Sequence, residues 1–296
     1  MRNNNFAPIV LFVYNRPWHT QQTVEALKKN ELAKNSELFI YSDEAKNEDA
    51  RKSVDEVREY IDTINGFKKV TVIKRGKNWG LANSIIDGVT KIINEYGKII
   101  VLEDDLVTSP YFLKFMNEAL EFYKAEKKVW HISGWNYPIE SDGEEDVFLW
   151  RAMNCWGWST WDDRWKCYEK DVDQTINEFS HDDIKRFNLE GAEDFWSQVI
   201  ANKDKKINTW AIFWYVTIFK KNGLCLNPVQ TFVENIGHDG SGVHCGDKKN
   251  YIDILNVKSS FNFTDNIEES KKYLKLIKKT MKISLFSKLK RLMVWK

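Results

Sequence analysis

Four short apolar runs recur in the first third of the chain, and each one ends in polar residues. They are PIVLFV at 8–13, ELFIYSDE at 37–44, KVTVIKR at 69–75 and KIIVLEDDL at 98–106. Continuous apolar runs of this length are typical of strands buried on both faces of a parallel sheet. Stretches with a helical pattern separate them, beginning at Thr20, near 49–64 and near 81–95. The pattern predicts an α/β fold with a mixed, mainly parallel sheet flanked by helices.

The regular alternation ends after residue 106. A helical stretch near 109–126 leads to VWHISGWNYP, an acidic loop at 141–147 and an aromatic-dense block at 148–165. No linker rich in Pro, Gly or Ser marks a boundary. We therefore interpret residues 107–265 as a lobe that continues the domain begun by residues 1–106.

The tail at residues 266–296 differs in charge from the rest of the chain. Beyond Glu269 it has no acidic residue, and its ten basic residues are Lys271, Lys272, Lys275, Lys278, Lys279, Lys282, Lys288, Lys290, Arg291 and Lys296. Apolar residues recur at helical spacing at Met281, Leu285, Leu289 and Leu292 or Met293. This pattern predicts a basic amphipathic helix on an anionic membrane surface, and the alternative is a solvated helix or a disordered tail.

Composition narrows the class of protein. The 44 basic and 43 acidic residues nearly cancel, so no global field favours nucleic acid. The four cysteines lack the spacing of a zinc module or a disulfide framework, which fits a reducing compartment. The apolar run at 9–13 is too short for a signal peptide or a membrane span. We therefore expect a cytoplasmic protein that is peripheral on the inner face of the cell membrane.

Three consecutive acids, Glu103, Asp104 and Asp105, follow the fourth apolar run. In open α/β sheets, ligands bind beyond the carboxyl ends of the strands, so the polar residues at all four ends should converge on one ligand. Carboxylates this close repel one another unless a cation lies among them. Hard divalent cations prefer such oxygen ligands, so the acidic run predicts a metal site.

The order of these motifs resembles a known class of enzymes. Asn-Arg-Pro follows the first strand, Ser-Asp the second, R-x-x-N-x-G-L-A the third and Glu-Asp-Asp the fourth. This order resembles that of family 2-type glycosyltransferases of the GT-A fold, which is Rossmann-like. LEDDLVTSPYFLKFMNEAL, HISGWN and CWGW are similar to the GlcNAc-transferase I family. The resemblance extends over about residues 8–245.

The resemblance implies a donor site for a nucleotide sugar. Asp105 would bind Mn²⁺ or Mg²⁺, Glu103 and Asp104 would hold the donor's sugar and ribose, and Asp43 would hydrogen-bond the uracil. The implied donor-binding set is Arg16, Asp43, Arg75, Asn78, Gly80, Glu103 and Asp104. Arg16 suits the nucleotide or its pyrophosphate. Simpler alternatives remain: Arg16 as a turn residue before Pro17, Asp43 as a helix cap, and Asn78 with Gly80 as a plain turn.

The catalytic base is less evident. The family's aspartate should fall in TWAIFWYV, but Ala211, Ile212 and Phe213 stand there. Substitutes are Asp194 and Glu193, where the alternative is that they cap or neutralise a helix start, and Asp239 in the glycine-rich stretch 235–244. In that stretch the candidate metal ligands are His244 and His238, and a plain loop is the alternative. The candidate acceptor-binding residues are Trp135, Asn136, Trp156 and Trp158, although core packing also explains such aromatics.

The sequence therefore predicts an inverting, metal-dependent glycosyltransferase. On the resemblance, its donor is UDP-GlcNAc or another UDP-sugar. Its acceptor is a glycan or a lipid-linked glycan in surface polysaccharide assembly. Alternatives are a retaining GT-A transferase and a non-catalytic relative that binds a nucleotide sugar or a glycan. A nucleotidyltransferase is disfavoured because Asn15-Arg16-Pro17 contains no glycine.

Overall fold

Four parallel strands form the first half of the central sheet. The computed structural model describes residues 6–241 and 254–281. The strands are β1 (Ile9–Val13), β2 (Glu37–Ser42), β3 (Lys69–Lys74) and β4 (Lys98–Glu103). They lie in the order β3-β2-β1-β4, and each neighbouring pair is parallel. Each strand falls within a predicted apolar run, so the predicted fold class is confirmed.

Alternate residues of β1 enter two separate cores, because successive side chains of a strand point to opposite faces. Ile9, Leu11 and Val13 pack in the core that includes residues of α1 (Pro17–Lys28) and α2 (Glu48–Ile61). Val10 and Phe12 pack with α3 (Leu81–Tyr96) in the other core. Both faces of the sheet are covered, which explains why the strands are continuously apolar.

The same sheet continues into the second half of the chain. The further elements are β5 (Leu106–Thr108), α4 (Phe112–Phe122), β6 (Val129–Ser133), β7 (Val147–Trp150), β8 (Trp158–Trp161), α5 (Asp162–Trp165), α6 (Val172–Glu178), α7 (His181–Phe187), α8 (Trp196–Lys203), α9 (Ala211–Lys220), β9 (Leu224–Pro228) and β10 (Val233–Asn235). Within the described ranges the main sheet has eight strands in the order β3-β2-β1-β4-β8-β6-β9-β7, and β10 pairs with β5 in a separate ribbon. β8 is antiparallel to both β4 and β6, whereas β6 and β9 are parallel. The strand ends after β4, β6 and β9 therefore share one edge with those of β1, β2 and β3.

The segment after residue 266 docks on the domain. Residues 271–281 are helical, and Tyr273, Ile277 and Met281 lie buried in the second core at a spacing of four residues. The ring of Tyr273 stacks on Phe148 with centroids 4.5 Å apart. Just before the helix, the backbone N–H of Ser270 donates to the carbonyl oxygen of Leu149 in β7, at 2.8 Å.

This docking corrects part of the prediction for the tail. Met281 was expected on a membrane-facing stripe, but it is only 6% exposed and packs in the core. Lys272 pairs with Asp142 and Glu145, and Lys278 pairs with Glu190, so two of the ten positive charges are neutralised within the chain. The other predicted apolar positions, Leu285, Leu289, Leu292 and Met293, lie outside the described residues. In the described part of the chain no helix is long and apolar enough to cross a membrane.

Candidate active site

Arg16 and the acidic run meet at the carboxyl edge of the parallel strands. Arg16 follows β1 as the residue before Pro17, the first residue of α1, and Asp104 and Asp105 follow β4. The Nη2 of Arg16 donates to Oδ1 of Asp104 and to Oδ2 of Asp105, the latter at 3.0 Å. The Nη1 of Arg16 is buried without a hydrogen-bond partner among the described residues. The predicted convergence of these two strand ends is therefore present in the fold.

The acidic run is held in an environment that disfavours negative charge. Asp104 and Asp105 are each 5% exposed. The backbone around them is fixed, because the Thr23 hydroxyl donates to the carbonyl of Asp104 at 2.9 Å and the N–H of Ile236 donates to that of Asp105 at 2.9 Å. Burial, reinforced by the charges of Asp105 and Asp104, raises the pKa of Glu103 to about 8. Burial also raises the pKa of Asp104, although Arg16 opposes it. The three carboxylates outnumber the single guanidinium of Arg16, and their oxygens are ligands that a divalent cation prefers.

A glycine loop lies directly on the acidic run. β10 pairs with β5, so that Asn235 is opposite Leu106 and the next residues cross over Asp105. A Cβ atom on Gly237 would lie 2.2 Å from Oδ2 of Asp105 and 3.0 Å from Nη1 of Arg16. Only glycine fits this contact without a shift. The glycine therefore allows the backbone of the loop to lie against the carboxylate of Asp105.

Two histidines among the described residues flank this loop, and only His238 was a candidate from the sequence. His19, in the first turn of α1, is buried with its Nε2 3.0 Å from Oδ2 of Asp239. The position of His19 three residues after Arg16, at a helix start, is the only sequence signal for it. The ring of His238 packs edge-on against Trp156, and its Nδ1 is buried without a described partner. His244 lies outside the described residues.

Asp239 is a poor candidate for a catalytic base. The hydroxyl and the N–H of Ser241 donate to its carboxylate at 2.6 and 3.0 Å. These hydrogen bonds lower its pKa to about 2. A general base is most effective when its pKa lies near the working pH. Asp239 instead connects the loop to His19.

Asp43 ties two strand ends together. Its carboxylate accepts from the backbone N–H groups of Glu44, Trp79 and Gly80 at 2.9, 2.9 and 2.8 Å. It does not cap α2, because Asn47 fills that position by accepting from the N–H of Ala50. The helix-cap alternative for Asp43 is therefore wrong.

The turn that carries Asn78 and Gly80 is fixed from the same side. The Nδ2 of Asn78 donates to the carbonyl of Glu44 at 2.6 Å. Gly80 has φ +71° and ψ 154°, a conformation that only glycine adopts readily. A Cβ there would meet nothing within 4 Å, so backbone angle rather than close approach requires glycine.

Arg75 is directed to α3 and away from the acidic run. Its Nη2 donates to Asp87 at 2.5 Å. Its guanidinium also lies over the rings of Trp79 and Tyr41, at 4.1 and 4.8 Å from their centroids. These contacts give Arg75 a structural role, and its contact with a donor stays a prediction.

The candidate acceptor residues divide into two groups. Trp135 packs against Trp156 with centroids 4.5 Å apart, and Trp156 reaches His238, so these aromatics adjoin the glycine loop. The Nε1 of Trp135 and the Oδ1 of Asn136 are buried without described partners. Trp158 needs a correction, because it is 1% exposed and stacks on Trp210 in the core. A side chain so buried has no surface for an acceptor.

Glu193 and Asp194 are not brought to this edge. Asp194 accepts from the N–H of Ser197 at 3.2 Å, as an acid at the start of α8 does. In the segment before Glu193, the side chain of Arg186 donates a hydrogen bond to Asn222, which lies just before β9 begins. That is the opposite edge of the sheet from the acidic run. The predicted catalytic role of the pair is therefore unsupported, and the helix-start alternative accounts for Asp194.

One family model and several solved structures are similar to this chain. Residues 9–132 match the family described as Glycosyl transferase family 2. No curated protein matches the chain by sequence. Among solved structures, the chain is similar to mannosyltransferase PcManGT from Pyrobaculum calidifontis, solved with GDP-Man and Mn²⁺, at 9% identity and a TM-score of 0.43, over 73% of this chain and 70% of that one. It is also similar to residues 1–349 of TarS from S. aureus, at 10% identity and a TM-score of 0.40, over 76% of this chain and 59% of that one.

The region matched to the family contains the strand ends described above. It runs from the first residue of β1 into β6 and includes Arg16, Asp43 and the whole acidic run. Residues 9–132 of this chain are thus similar to the Glycosyl transferase family 2 model, and the acidic run lies within the matched region.

Proposed function

We propose that the protein transfers a sugar from a nucleotide-sugar donor, with UDP-GlcNAc as the first candidate, onto a glycan or a lipid-linked glycan. One observation carries the proposal: Arg16 and the acidic run meet at the carboxyl edge of the region that is similar to family 2. A phosphate group is bound by a guanidinium or by a cation, and this edge of the sheet has the guanidinium of Arg16 and carboxylates that would hold a cation.

The donor would bind with its diphosphate near Arg16 and Asp105. When bound, Mn²⁺ or Mg²⁺ would neutralise the charge of the leaving diphosphate. The carboxylate oxygens of Asp104 and Asp105 are ligands of the kind that such an ion prefers, and Arg16 contacts both carboxylates in the structure. Three backbone N–H groups already use the carboxylate of Asp43, so we expect it to shape the turn at 78–80 beside the base rather than to hydrogen-bond uracil directly.

The acceptor would bind against Trp135 and Trp156. A buried polar atom without a partner costs free energy, on the order of 1–3 kcal/mol, unless a ligand or water supplies the hydrogen bond. Trp135 Nε1 and Asn136 Oδ1 are two such atoms, and Trp135 packs against Trp156, which is only partly buried and reaches His238. A sugar offers hydroxyl groups that satisfy both a donor and an acceptor, and an apolar ring face for stacking.

A retaining transfer is the second candidate. An inverting enzyme requires a base beside the acceptor hydroxyl. The start of α9 offers Ala211, Ile212 and Phe213 instead, and Asp239 has a pKa of about 2. This observation favours a mechanism without a separate carboxylate base. The anomeric configuration of the product distinguishes the two candidates.

We also propose a peripheral position on the inner face of the cell membrane. Lys271, Lys275 and Lys279 lie exposed at four-residue spacing on the helix 271–281. Each basic residue near an anionic surface contributes about 1 kcal/mol. Truncation after Met281 together with Lys→Gln changes at these three positions should release the protein from vesicles that contain phosphatidylserine. Unchanged sedimentation with the vesicles would refute this location.

The transferase proposal is tested by Mn²⁺-dependent hydrolysis of a panel of nucleotide sugars. We expect release of the nucleoside diphosphate from one sugar, reduced about 100-fold or more in Asp105→Asn. Asp173→Asn, an exposed acid on α6, is the matched control and should retain the wild-type rate. Donor binding without turnover, with or without a glycan acceptor, would favour a non-catalytic relative. No binding of any donor would overturn the proposal.

A further inference from the structure

Arg16 takes the place between two carboxylates that a metal ion would take. A single nitrogen, Nη2, contacts Oδ1 of Asp104 and Oδ2 of Asp105. Arg16 also acts electrostatically on Glu103. One guanidinium thus contacts two acids of the run and acts against the rise in the pKa of the third. His19 also lies near Asp104, and its Nε2 is 3.0 Å from Oδ2 of Asp239.

Little room is left for a metal ion beside Arg16. Oδ2 of Asp105 has Nη2 of Arg16 on one side and Gly237 on the other, where even a Cβ atom would lie only 2.2 Å away. Among the residues that the structure describes, no group of three His, Cys, Asp or Glu side chains is arranged to hold a metal. A cation that binds Asp104 and Asp105 therefore has to displace the guanidinium.

The backbone of Arg16 is held independently of its side chain. Its carbonyl accepts from the N–H and the hydroxyl of Thr20 at 3.0 and 2.9 Å, which fixes its backbone in the first turn of α1. The side chain reaches the acids through rotatable bonds. Its Nη1 is buried without a described partner, so the guanidinium has an unused donor in the present position. Diphosphate oxygens would provide paired acceptors for it.

We propose that Arg16 is an internal counter-ion of the acidic run, which a divalent cation displaces and which then binds the diphosphate of the nucleotide. The inference rests on the proposed donor site. It makes metal and nucleotide binding interdependent, because metal that enters alone leaves the guanidinium without a partner. When the nucleotide is present, its diphosphate becomes the new partner of the displaced Arg16. The linkage is reciprocal, so the nucleotide tightens metal binding as much as the metal tightens nucleotide binding.

The test is a titration of the protein with Mn²⁺, followed by the electron paramagnetic resonance signal of the free ion, with and without UDP. For the wild type we expect UDP to tighten Mn²⁺ binding about tenfold or more. In Arg16→Met the competitor is gone, so Mn²⁺ without UDP should bind about tenfold more tightly than in the wild type, and UDP should add little. Arg186→Met removes the same charge from an exposed site near Asn222 and should behave as the wild type.

Weaker or unchanged Mn²⁺ binding in Arg16→Met would overturn the proposal. If that variant does not fold, the titration of the wild type is sufficient as a test. Wild-type Mn²⁺ binding that is equally tight with and without UDP would also overturn the proposal. Failure of the transferase proposal gives a different result. Tighter Mn²⁺ binding in Arg16→Met together with no hydrolysis of any nucleotide sugar would support the exchange while refuting the transfer.

Discussion

Gly237→Ala should damage the candidate site through a single methyl group. The added Cβ would lie 2.2 Å from Oδ2 of Asp105 and 3.0 Å from its Cγ. Non-bonded heavy atoms rest about 3.5 Å apart, so the loop or the carboxylate must move by about 1 Å. The φ angle of Gly237 is not positive, so alanine meets no backbone strain and the collision is the whole perturbation.

Two magnitudes follow from this displacement. Overpacking of a tight contact costs about 1–3 kcal/mol, so the free energy of unfolding should fall by that amount. A 1 Å error in the position of a reacting group can cost about 100-fold in rate, so donor hydrolysis should fall by about that factor. Equilibrium denaturation in urea measures the first effect, and release of nucleoside diphosphate measures the second.

Gly76→Ala is the matched control. Gly76 lies on the turn after β3, its φ is also outside the left-handed region, and a Cβ there would meet nothing within 4 Å. The substitution should leave hydrolysis unchanged and leave stability unchanged or raise it by about 0.4–1 kcal/mol. If Gly237→Ala matches Gly76→Ala in rate and stability, the contact between the loop and Asp105 is not as described.

Three further predictions concern stability. His131 is fully buried, and burial lowers its pKa to about 3, so between pH 6.5 and 4.5 only the unfolded state takes up a proton at this residue. The free energy of unfolding should therefore fall by about 2 kcal/mol over this pH range. An equally steep fall in His131→Gln would contradict this. Gly80→Ala should lower the free energy of unfolding by about 1–3 kcal/mol because of its φ of +71°, and a loss no greater than in Gly76→Ala would argue against the strain. Tyr273→Ala should cost about 3–5 kcal/mol and speed proteolysis within 271–281, whereas unchanged proteolysis would mean that the helix docks without it.

The sequence sufficed to predict the parallel half of the fold. In β1 both faces are buried by local helices, so a continuous apolar run identifies the strand and the next polar residues identify the edge. Arg16 and the acidic run could be found for that reason. The position of β8 between β4 and β6 could not, because its pairings join residues about 30 to 60 apart and short aromatic strands show no clear periodicity.

Errors at the level of single residues have physical causes as well. Met281 continues the spacing of Tyr273 and Ile277, and periodicity cannot tell a stripe that faces a core from one that faces lipid. Asp194 shows that an acid at a helix start often has a local role. His19 escaped notice because its contact with Asp239 joins residues 220 positions apart.

The hydrogen bond from Ser270 to Leu149 has a consequence for self-association. β7 is the last strand of the sheet, and an uncovered edge strand offers free backbone groups to another chain. Residues 269 and 270 cover this edge of β7 just before the helix begins, and the carboxylate of Glu269 holds them there by accepting from the backbone N–H and the guanidinium of Arg151. A protein shortened ahead of residue 269 should therefore form strand-paired dimers or aggregates. Shortening after residue 281 should leave it monodisperse in the same assay.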